Sequence, residues 1–143
     1  SRLTLENDDK ASMYSVKDLY YGIYKKVGVP IVFDYHHHQF CTGGMSEQEA
    51  LEMALSTWGD IKPVTHYSES RSKEQMDEKI RPQAHSDYVY DKIEMYGNDF
   101  DIMVEAKHKE LAVRKYMELH MVDQYSGLPA VDSYKQDRTL NYV

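Results

Sequence analysis

The fold is decided by the stretch Val29-Pro30-Ile31-Val32-Phe33-Asp34-Tyr35-His36-His37-His38. An apolar run of this length is typical of a buried strand, and it ends abruptly in an aspartate followed by histidines. Parallel strands of α/β enzymes commonly carry their functional side chains at the carboxyl end. The stretch therefore predicts one strand of a parallel sheet, with potential metal ligands where that strand ends.

The same pattern occurs three more times along the chain, each time as an apolar run that ends in an ionisable side chain. The runs are Leu3-Thr4-Leu5 before Glu6, Val64-Thr65 before His66, and Ile102-Met103-Val104 before Glu105. Successive runs lie about 25–40 residues apart, which is the length of one strand–helix unit. We therefore expect four parallel strands with helical crossovers and all the polar ends at one edge.

Helices between these strands are predicted from capping signals and helical periodicity. Potential capping boxes and helix-ending glycines stand at Ser15/Asp18, Ser46/Glu49, Gly28 and Gly59. The predicted strands cover residues 2–6, 30–34, 62–66 and 100–105, and the predicted helices cover 15–27, 46–58, 86–96 and 109–121. The polar residues 69–81 predict a long loop. Residues 123–143 predict a peripheral extension of a domain formed by residues 1–122.

The composition is that of a globular protein without a membrane span. Hydrophobic residues make up 41% and charged residues 29% of the chain, and no apolar run approaches the roughly 18 residues of a membrane helix. The single cysteine, Cys41, excludes an internal disulfide framework and fits a reducing compartment. We expect no membrane partner and an intracellular location, cytoplasmic or nucleoid-associated if the source is prokaryotic or viral.

The net charge of −7, from 24 acidic and 17 basic residues, taken alone argues against nucleic-acid binding. That argument is weak for a protein whose carboxylates bind metal ions, because the bound cations reverse the local field. Basic residues also cluster in two segments, which contain Arg71, Lys73, Lys79 and Arg81, and Lys107, Lys109, Arg114 and Lys115. A nucleic-acid substrate therefore stays open.

Functional residues at the carboxyl ends of consecutive parallel strands are typical of the TIM (β/α)8 barrel. A complete barrel needs about 250 residues, whereas this chain has 143. We predict that it forms the second half of a barrel, strands five to eight, and that the missing N-terminal half is its partner. Such a half-barrel leaves two strand edges open. The alternative is a small doubly wound domain, for which the chain has no glycine-rich phosphate-binding fingerprint.

Asp34 and His37 are the first candidate metal ligands. They are three residues apart just past a strand end, so a helical turn puts both side chains on one side. His36 and His38 are expected to serve as neighbouring groups that orient the ligands.

The other candidates share a position at a predicted strand end or just after the polar segment. The candidate ligands are Glu6, His66, His85 and Glu105. Tyr67 and Ser68 directly follow His66, and their hydroxyls could contact a phosphate. Carboxylates and imidazoles without thiolates suit Mn²⁺, Zn²⁺, Fe²⁺ or Mg²⁺. A site with several such ions fits phosphoester hydrolysis, and metal-assisted isomerisation of a sugar could use a similar ligand set.

Six strings in a fixed order carry a more specific signal: Leu5-Glu6-Asn7-Asp8-Asp9, Pro30-Ile31-Val32-Phe33-Asp34-Tyr35-His36-His37, Thr57-Trp58, His66-Tyr67-Ser68, Ala84-His85-Ser86-Asp87-Tyr88, and Met103-Val104-Glu105-Ala106-Lys107-His108-Lys109-Glu110. Together they resemble the UV damage endonuclease family from Leu3 to about Leu119. The resemblance implies a TIM barrel with up to three divalent ions, Mn²⁺ foremost and Mg²⁺, Zn²⁺ or Co²⁺ as further candidates. It also implies hydrolysis of the phosphodiester 5′ of pyrimidine dimers and 6-4 photoproducts in duplex DNA, which starts excision repair.

The resemblance also implies a role for individual residues. It implies metal ligands at Glu6 after strand five, at Asp34 and His37 after strand six, at His66 and His85 after strand seven, and at Glu105 after strand eight. The implied catalytic residues are Glu6, Glu105 and Lys107, and the implied DNA contacts are Tyr67, Ser68 and Lys107.

Two departures from the family pattern qualify this interpretation. The remaining metal ligands of the family lie in the absent half of the barrel, so we expect the isolated chain to be inactive. Related apurinic-site endonucleases have an aspartate at the position of Gln83, which favours the UV damage family. The alternatives are an apurinic-site endonuclease, a sugar isomerase or epimerase of the same barrel type, and a non-enzymatic fragment.

Overall fold

The computed structural model describes residues 3–121, and all structural statements below concern those residues. They form an α/β fold with helices between successive strands. In chain order the elements are β1 (Leu5–Glu6), α1 (Val16–Leu19), a π-helical turn (Tyr20–Tyr24), α2 (Lys25–Val27), β2 (Ile31–Asp34), α3 (Tyr35–His38), α4 (Glu47–Leu55), a 3-10 turn (Ser56–Trp58), β3 (Val64–Tyr67), α5 (Arg71–Gln75), β4 (Asp101–Val104) and α6 (Glu110–His120).

The described strands form one sheet in the order β1-β2-β3-β4, as predicted. β1 and β2 are parallel, with Leu5 opposite Ile31, and β2 and β3 are parallel, with Asp34 opposite His66. A doubly wound domain has a reversal of strand order, and its ligands bind at that reversal. The four described strands show no reversal, which is the order of consecutive strands in a barrel.

The described residues divide into two compact units. The first contains the residues up to Tyr67 together with Met95–Met103, and the second contains Ser68–Glu94 together with the residues from Val104 onward. In the first unit α4 packs against β2, and the buried apolar side chains include Val16, Leu19, Ile31, Phe33, Leu51 and Ala54. In the second unit they include Val89, Ile93, Leu111, Ala112 and Tyr116.

Both predicted capping boxes are confirmed. The Ser15 hydroxyl accepts a hydrogen bond from the Asp18 amide and the Asp18 carboxylate accepts one from the Ser15 amide, and Ser46 and Glu49 repeat this arrangement. Gly28 ends α2 at a φ of 73°, a left-handed conformation that favours glycine. The predicted helix at 15–27 is interrupted by the π-helical turn, and Val27 is exposed, so its apolar face ends earlier than the periodicity indicates.

The predicted helix at 86–96 is wrong: these residues form no regular helix or strand. The physical reason is competition for the backbone donors. Five N–H groups donate to side chains instead of to carbonyls four residues earlier: Asp87 and Tyr88 to Glu74, Tyr90 and Asp91 to Glu69, and Ile93 to the Tyr116 hydroxyl. Val89 and Ile93, which lie four positions apart as on one face of a helix, are buried although the backbone here is irregular.

The predicted loop at 69–81 is also corrected, because it contains the short helix α5. This helix buries no side chain, so hydrophobic periodicity could not reveal it. The predicted extension at 123–143 lies outside the described residues. Among the described helices, none combines the length and the apolar composition needed to cross a membrane.

Candidate metal centre

Three predicted ligands come together where β1, β2 and β3 end. Glu6, Asp34 and His66 each offer one ligand atom, and these atoms lie within 4.8 Å of one another. Glu6 is the last residue of β1 and Asp34 the last of β2, directly opposite His66 in β3, so the parallel register accounts for the cluster. Asp34 is fully buried, whereas Glu6 and His66 are partly exposed, and the His66 Nδ1 atom contacts the Glu6 carboxylate.

The donor set of this cluster fits a divalent cation. Two carboxylates and one imidazole without a thiolate suit Mn²⁺, Zn²⁺, Fe²⁺ or Mg²⁺. Two carboxylates this close repel each other, and burial penalises the charge of Asp34 further. A bound cation would offset both effects.

His37 lies beside these three residues in the first turn after β2. Its Nδ1 atom is 2.7 Å from the carbonyl oxygen of Asn7, and its Nε2 atom is 3.6 Å from the Asp34 carboxylate. A carbonyl oxygen can only accept, so Nδ1 carries the proton of the neutral ring. The lone pair is then on Nε2, facing Asp34, which is the tautomer that a metal ligand needs. The Asp34 carboxylate also accepts from the His37 amide and so begins α3.

His36 and His38 are buried on either side of His37. The His36 ring meets Phe40 edge-on at 5.1 Å, and the His38 ring lies 5.5 Å from Phe33. Burial lowers the pKa of His38 below its ordinary value, so this imidazole is neutral near pH 7. Their observed contribution is packing around the strand end that carries Asp34.

Asn7, which the sequence did not single out, holds two of the candidate ligands in place. Its side chain is buried and brackets the backbone of Asp34: it accepts from the Asp34 amide at 2.8 Å and donates to the Asp34 carbonyl at 3.0 Å. The Asn7 carbonyl also holds His37. Asn7 therefore fixes the positions of two candidate ligands, Asp34 and His37. The local signal was an asparagine directly after a strand-end glutamate, which by itself indicates only a turn.

Replacing Asn7 by alanine is expected to destabilise the protein by about 1–3 kcal/mol, because the buried backbone groups of Asp34 lose their partner. Chemical denaturation of the wild type and the variant measures this difference. Asn98→Ala is the matched control: the Asn98 amide is only half-buried and donates to Glu52 and Met95, so its loss should cost at most about 1 kcal/mol. Equal losses in the two variants would contradict the bracketing role.

Thr57 and Trp58 hold the opposite end of β2. The Thr57 hydroxyl accepts from the Ile31 amide at 2.8 Å, and the Trp58 indole donates to the Ile31 carbonyl at 2.8 Å. Both side chains come from the 3-10 turn after α4. The strand that ends in Asp34 is thus fixed by side-chain hydrogen bonds at its start and by Asn7 at its end.

The second unit contains all the remaining predicted site residues except Tyr67. Glu105 directly follows β4, and His85 and Lys107 line a cavity of about 480 Å³ together with Ala84, Ala106 and Lys109. Ser68 is buried, with a hydroxyl that has no hydrogen-bond partner, so its side chain is poorly placed to reach a phosphate. In the first unit, the Tyr67 ring is half-buried against Tyr35.

Comparison with known proteins decides the family. The sequence profile described as UV-endonuclease UvdE matches residues 1–135. This chain belongs to the UvdE family. Among curated members, the UV DNA damage endonuclease of Bacillus cereus strain Q1 is 31% identical over 142 residues, which cover 92% of this chain and 41% of the relative. The protein of the same description from Bacillus mycoides strain KBAB4 is 34% identical over 122 residues, 78% of this chain and 36% of the relative.

A solved member of the UvdE family has a similar structure. The crystal structure of SacUVDE matches with a TM-score of 0.66 and 30% sequence identity, covering 89% of this chain and 41% of that chain. The match confirms the predicted α/β fold with a parallel sheet. The chain spans about two fifths of the length of the relatives it matches.

Proposed function

We propose that this chain is part of a metal-dependent DNA repair endonuclease. The proposed reaction is hydrolysis of the phosphodiester 5′ of UV photoproducts, pyrimidine dimers and 6-4 photoproducts, in duplex DNA. The observation that carries the proposal is the convergence of Glu6, Asp34 and His66 within 4.8 Å in a chain of the UvdE family. Ligands of this kind suit ions that assist phosphoester hydrolysis.

The proposed metal centre holds a cluster of up to three divalent ions, with Mn²⁺ foremost and Mg²⁺, Zn²⁺ or Co²⁺ as alternatives. To the three converging residues we add His37, His85 and Glu105 as further ligands. Glu105 is included because it directly follows β4, which is the neighbour of β3 in the sheet. When bound, such ions supply a hydroxide at neutral pH and stabilise negative charge on the phosphate.

The protein side chains have three proposed tasks. Glu6, at the end of β1, would hold divalent ions with its carboxylate. The Asn7 carbonyl accepts the hydrogen bond from His37 Nδ1–H and so keeps the Nε2 lone pair of His37 available to an ion. Lys107, whose side chain is exposed at the cavity, is proposed to contact a DNA phosphate. Tyr67 is the second proposed phosphate contact.

The proposed active protein is a closed barrel in which this chain supplies strands five to eight. The first four strands would come from the segment of the relatives that this chain does not match. An open half-barrel lacks the ligands of that segment, so the isolated chain is expected to bind metal incompletely and to have no incision activity.

Co-expression with the N-terminal half of a family member tests this proposal directly. We expect the complex to nick UV-irradiated plasmid in the presence of Mn²⁺ and to leave unirradiated plasmid intact. Glu105→Ala should abolish nicking, whereas Glu110→Ala, which removes an exposed carboxylate five residues later, should leave it largely unchanged. The readout is conversion of supercoiled to relaxed plasmid.

Two results would count against the proposed function. One is the absence of nicking by a folded, metal-loaded complex. The other is turnover of a free ketose by that complex, which would point to the isomerase-like alternative.

A further inference from the structure

The carboxylate of Glu74 in α5 holds the segment that follows His85. One oxygen accepts from the Asp87 amide at 2.9 Å, and the other accepts from the Tyr88 amide at 3.0 Å and from the Tyr90 hydroxyl at 2.8 Å. Burial tends to raise the pKa of Glu74, but these hydrogen bonds together hold it below its ordinary value. Glu74 is therefore ionised near pH 7, and it also accepts a fourth hydrogen bond, from the Gln75 side chain at 3.0 Å.

Hydrogen bonds from the residues around α5 hold the backbone on both sides of His85 as well. The Arg71 amide donates to the Ala84 carbonyl at 2.8 Å, and the Ser86 amide donates to the Glu69 carbonyl at 2.9 Å. Ser70 and His85 form an antiparallel bridge between these two bonds. The position of His85 thus depends on residues 69–74, which lie 11 to 16 positions earlier in the chain.

The same scaffold holds the backbone next to Glu105. The Lys107 amide donates to the Ser86 carbonyl at 3.0 Å, and the His108 amide donates to the Asp87 carbonyl at 3.1 Å. The backbone of Asp87 is therefore held twice: its carbonyl accepts from the His108 amide, and its amide donates to the Glu74 carboxylate. A shift of residues 86–88 would therefore move the lining of the cavity that contains His85 and Lys107.

Packing alone does not explain this arrangement. α5 has five residues and buries none of them, so few apolar contacts hold it in place. Residues 86–88 form no regular element, so no helix or strand provides hydrogen-bond acceptors for their amides. The carboxylate of Glu74 is the group that satisfies two of them at once.

We propose that Glu74 is a positioning residue that acts through His85: by fixing the amides of Asp87 and Tyr88, it holds the imidazole of His85 where a divalent ion can bind. This inference rests on the proposed function, in which His85 is a ligand. In this proposal Glu74 does not bind the metal itself, but it affects metal affinity by orienting a ligand.

A double-mutant cycle on the full chain tests the coupling, with Co²⁺ affinity measured by calorimetry and by the visible spectrum of the bound ion. In Glu74→Gln an amide nitrogen replaces one carboxylate oxygen and faces a backbone donor. We expect Glu74→Gln to weaken Co²⁺ binding about 10-fold, within the roughly 10–100-fold range for groups that orient ligands. In the His85→Ala background the same substitution should have no further effect, because the residue through which it acts is gone.

Two further variants separate positioning from a loss of charge or of folding. Glu78→Gln removes the same charge from an exposed residue of the same segment and should leave Co²⁺ affinity unchanged. Tyr90→Phe removes one donor to Glu74 and keeps both amides in place. It should therefore weaken binding in the same direction but less, and it stands in for Glu74→Gln should that variant not fold.

The outcomes distinguish the two proposals. His85→Ala with wild-type affinity would refute the metal role of His85, and the positioning role with it. If His85→Ala weakens Co²⁺ binding, two results would overturn the positioning role alone. One is a Glu74→Gln variant with wild-type affinity. The other is an effect of Glu74→Gln that is equally large in the wild-type and the His85→Ala backgrounds.

Discussion

Asp34→Asn is expected to remove most of the metal-dependent stability of this protein while leaving the metal-free protein at least as stable as the wild type. Without metal, the buried Asp34 carboxylate lies close to that of Glu6, so neutralising it relieves both repulsion and a desolvation penalty. The asparagine oxygen can still accept from the His37 amide and begin α3. The two effects have opposite signs because a cation would need the same carboxylate charge that destabilises the metal-free protein.

Thermal unfolding with and without Mn²⁺ measures both effects. At a metal concentration 100 times the dissociation constant, a bound ion stabilises the native state by about 2.7 kcal/mol. If the affinity falls 100-fold, the gain at the same concentration falls to about 0.4 kcal/mol. Asp60→Asn is the matched control, since Asp60 is exposed and should keep the full response to metal. A full Mn²⁺ response in Asp34→Asn would remove Asp34 from the proposed ligands.

Phe33→Ala is expected to cost about 3–5 kcal/mol, which is the usual loss when a buried aromatic side chain is removed. Phe33 is fully buried in the strand position just before Asp34, and its ring contacts Tyr35 at a centroid distance of 4.9 Å. A typical domain has only about 5–15 kcal/mol of stability. The variant should therefore be largely unfolded at moderate denaturant concentrations and lose metal binding with the fold.

Two variants calibrate this result in equilibrium denaturation with urea. Phe33→Leu keeps much of the apolar volume and should cost roughly 1–2 kcal/mol. Tyr14→Ala removes an aromatic ring that is 59% exposed, and its effect should be within about 0.5 kcal/mol. A loss below about 1 kcal/mol for Phe33→Ala would mean that the strand before Asp34 is not the core of the first unit.

The strands, the capped helices and the edge where the candidate ligands converge could be predicted because their signals are local. An apolar run that stops at Glu6 or Asp34 specifies both a strand and the place where it ends. Ser15 and Ser46 begin helices by bonding to amides three residues away. Parallel pairing then brings the strand ends to one edge whatever the helices between them contain.

The predictions were wrong where side chains far away in the sequence determine the backbone conformation. The residues from Ser86 to Tyr96 have a helical pattern of apolar residues. Their amides, however, donate hydrogen bonds to the carboxylates of Glu69 and Glu74 instead of to helix carbonyls. Those acceptors lie 13 to 22 positions away, beyond the reach of any local rule. Asn7 was missed for the same reason, because its two partners are on Asp34, 27 positions along the chain.

The unbroken strand order has a kinetic consequence. Leu5 pairs with Ile31 and Phe33 with Thr65, so each pairing closes a loop of only 26 or 32 residues. Loop closure of this size is inexpensive in entropy, and a nascent chain folds from its N-terminal side as it is synthesised. The sheet can therefore grow one strand at a time. The β1–β2 pairing brings Glu6 and Asp34 together, and His66 joins them when β3 pairs with β2. We therefore expect the two carboxylates to come together first and the imidazole to join them afterwards.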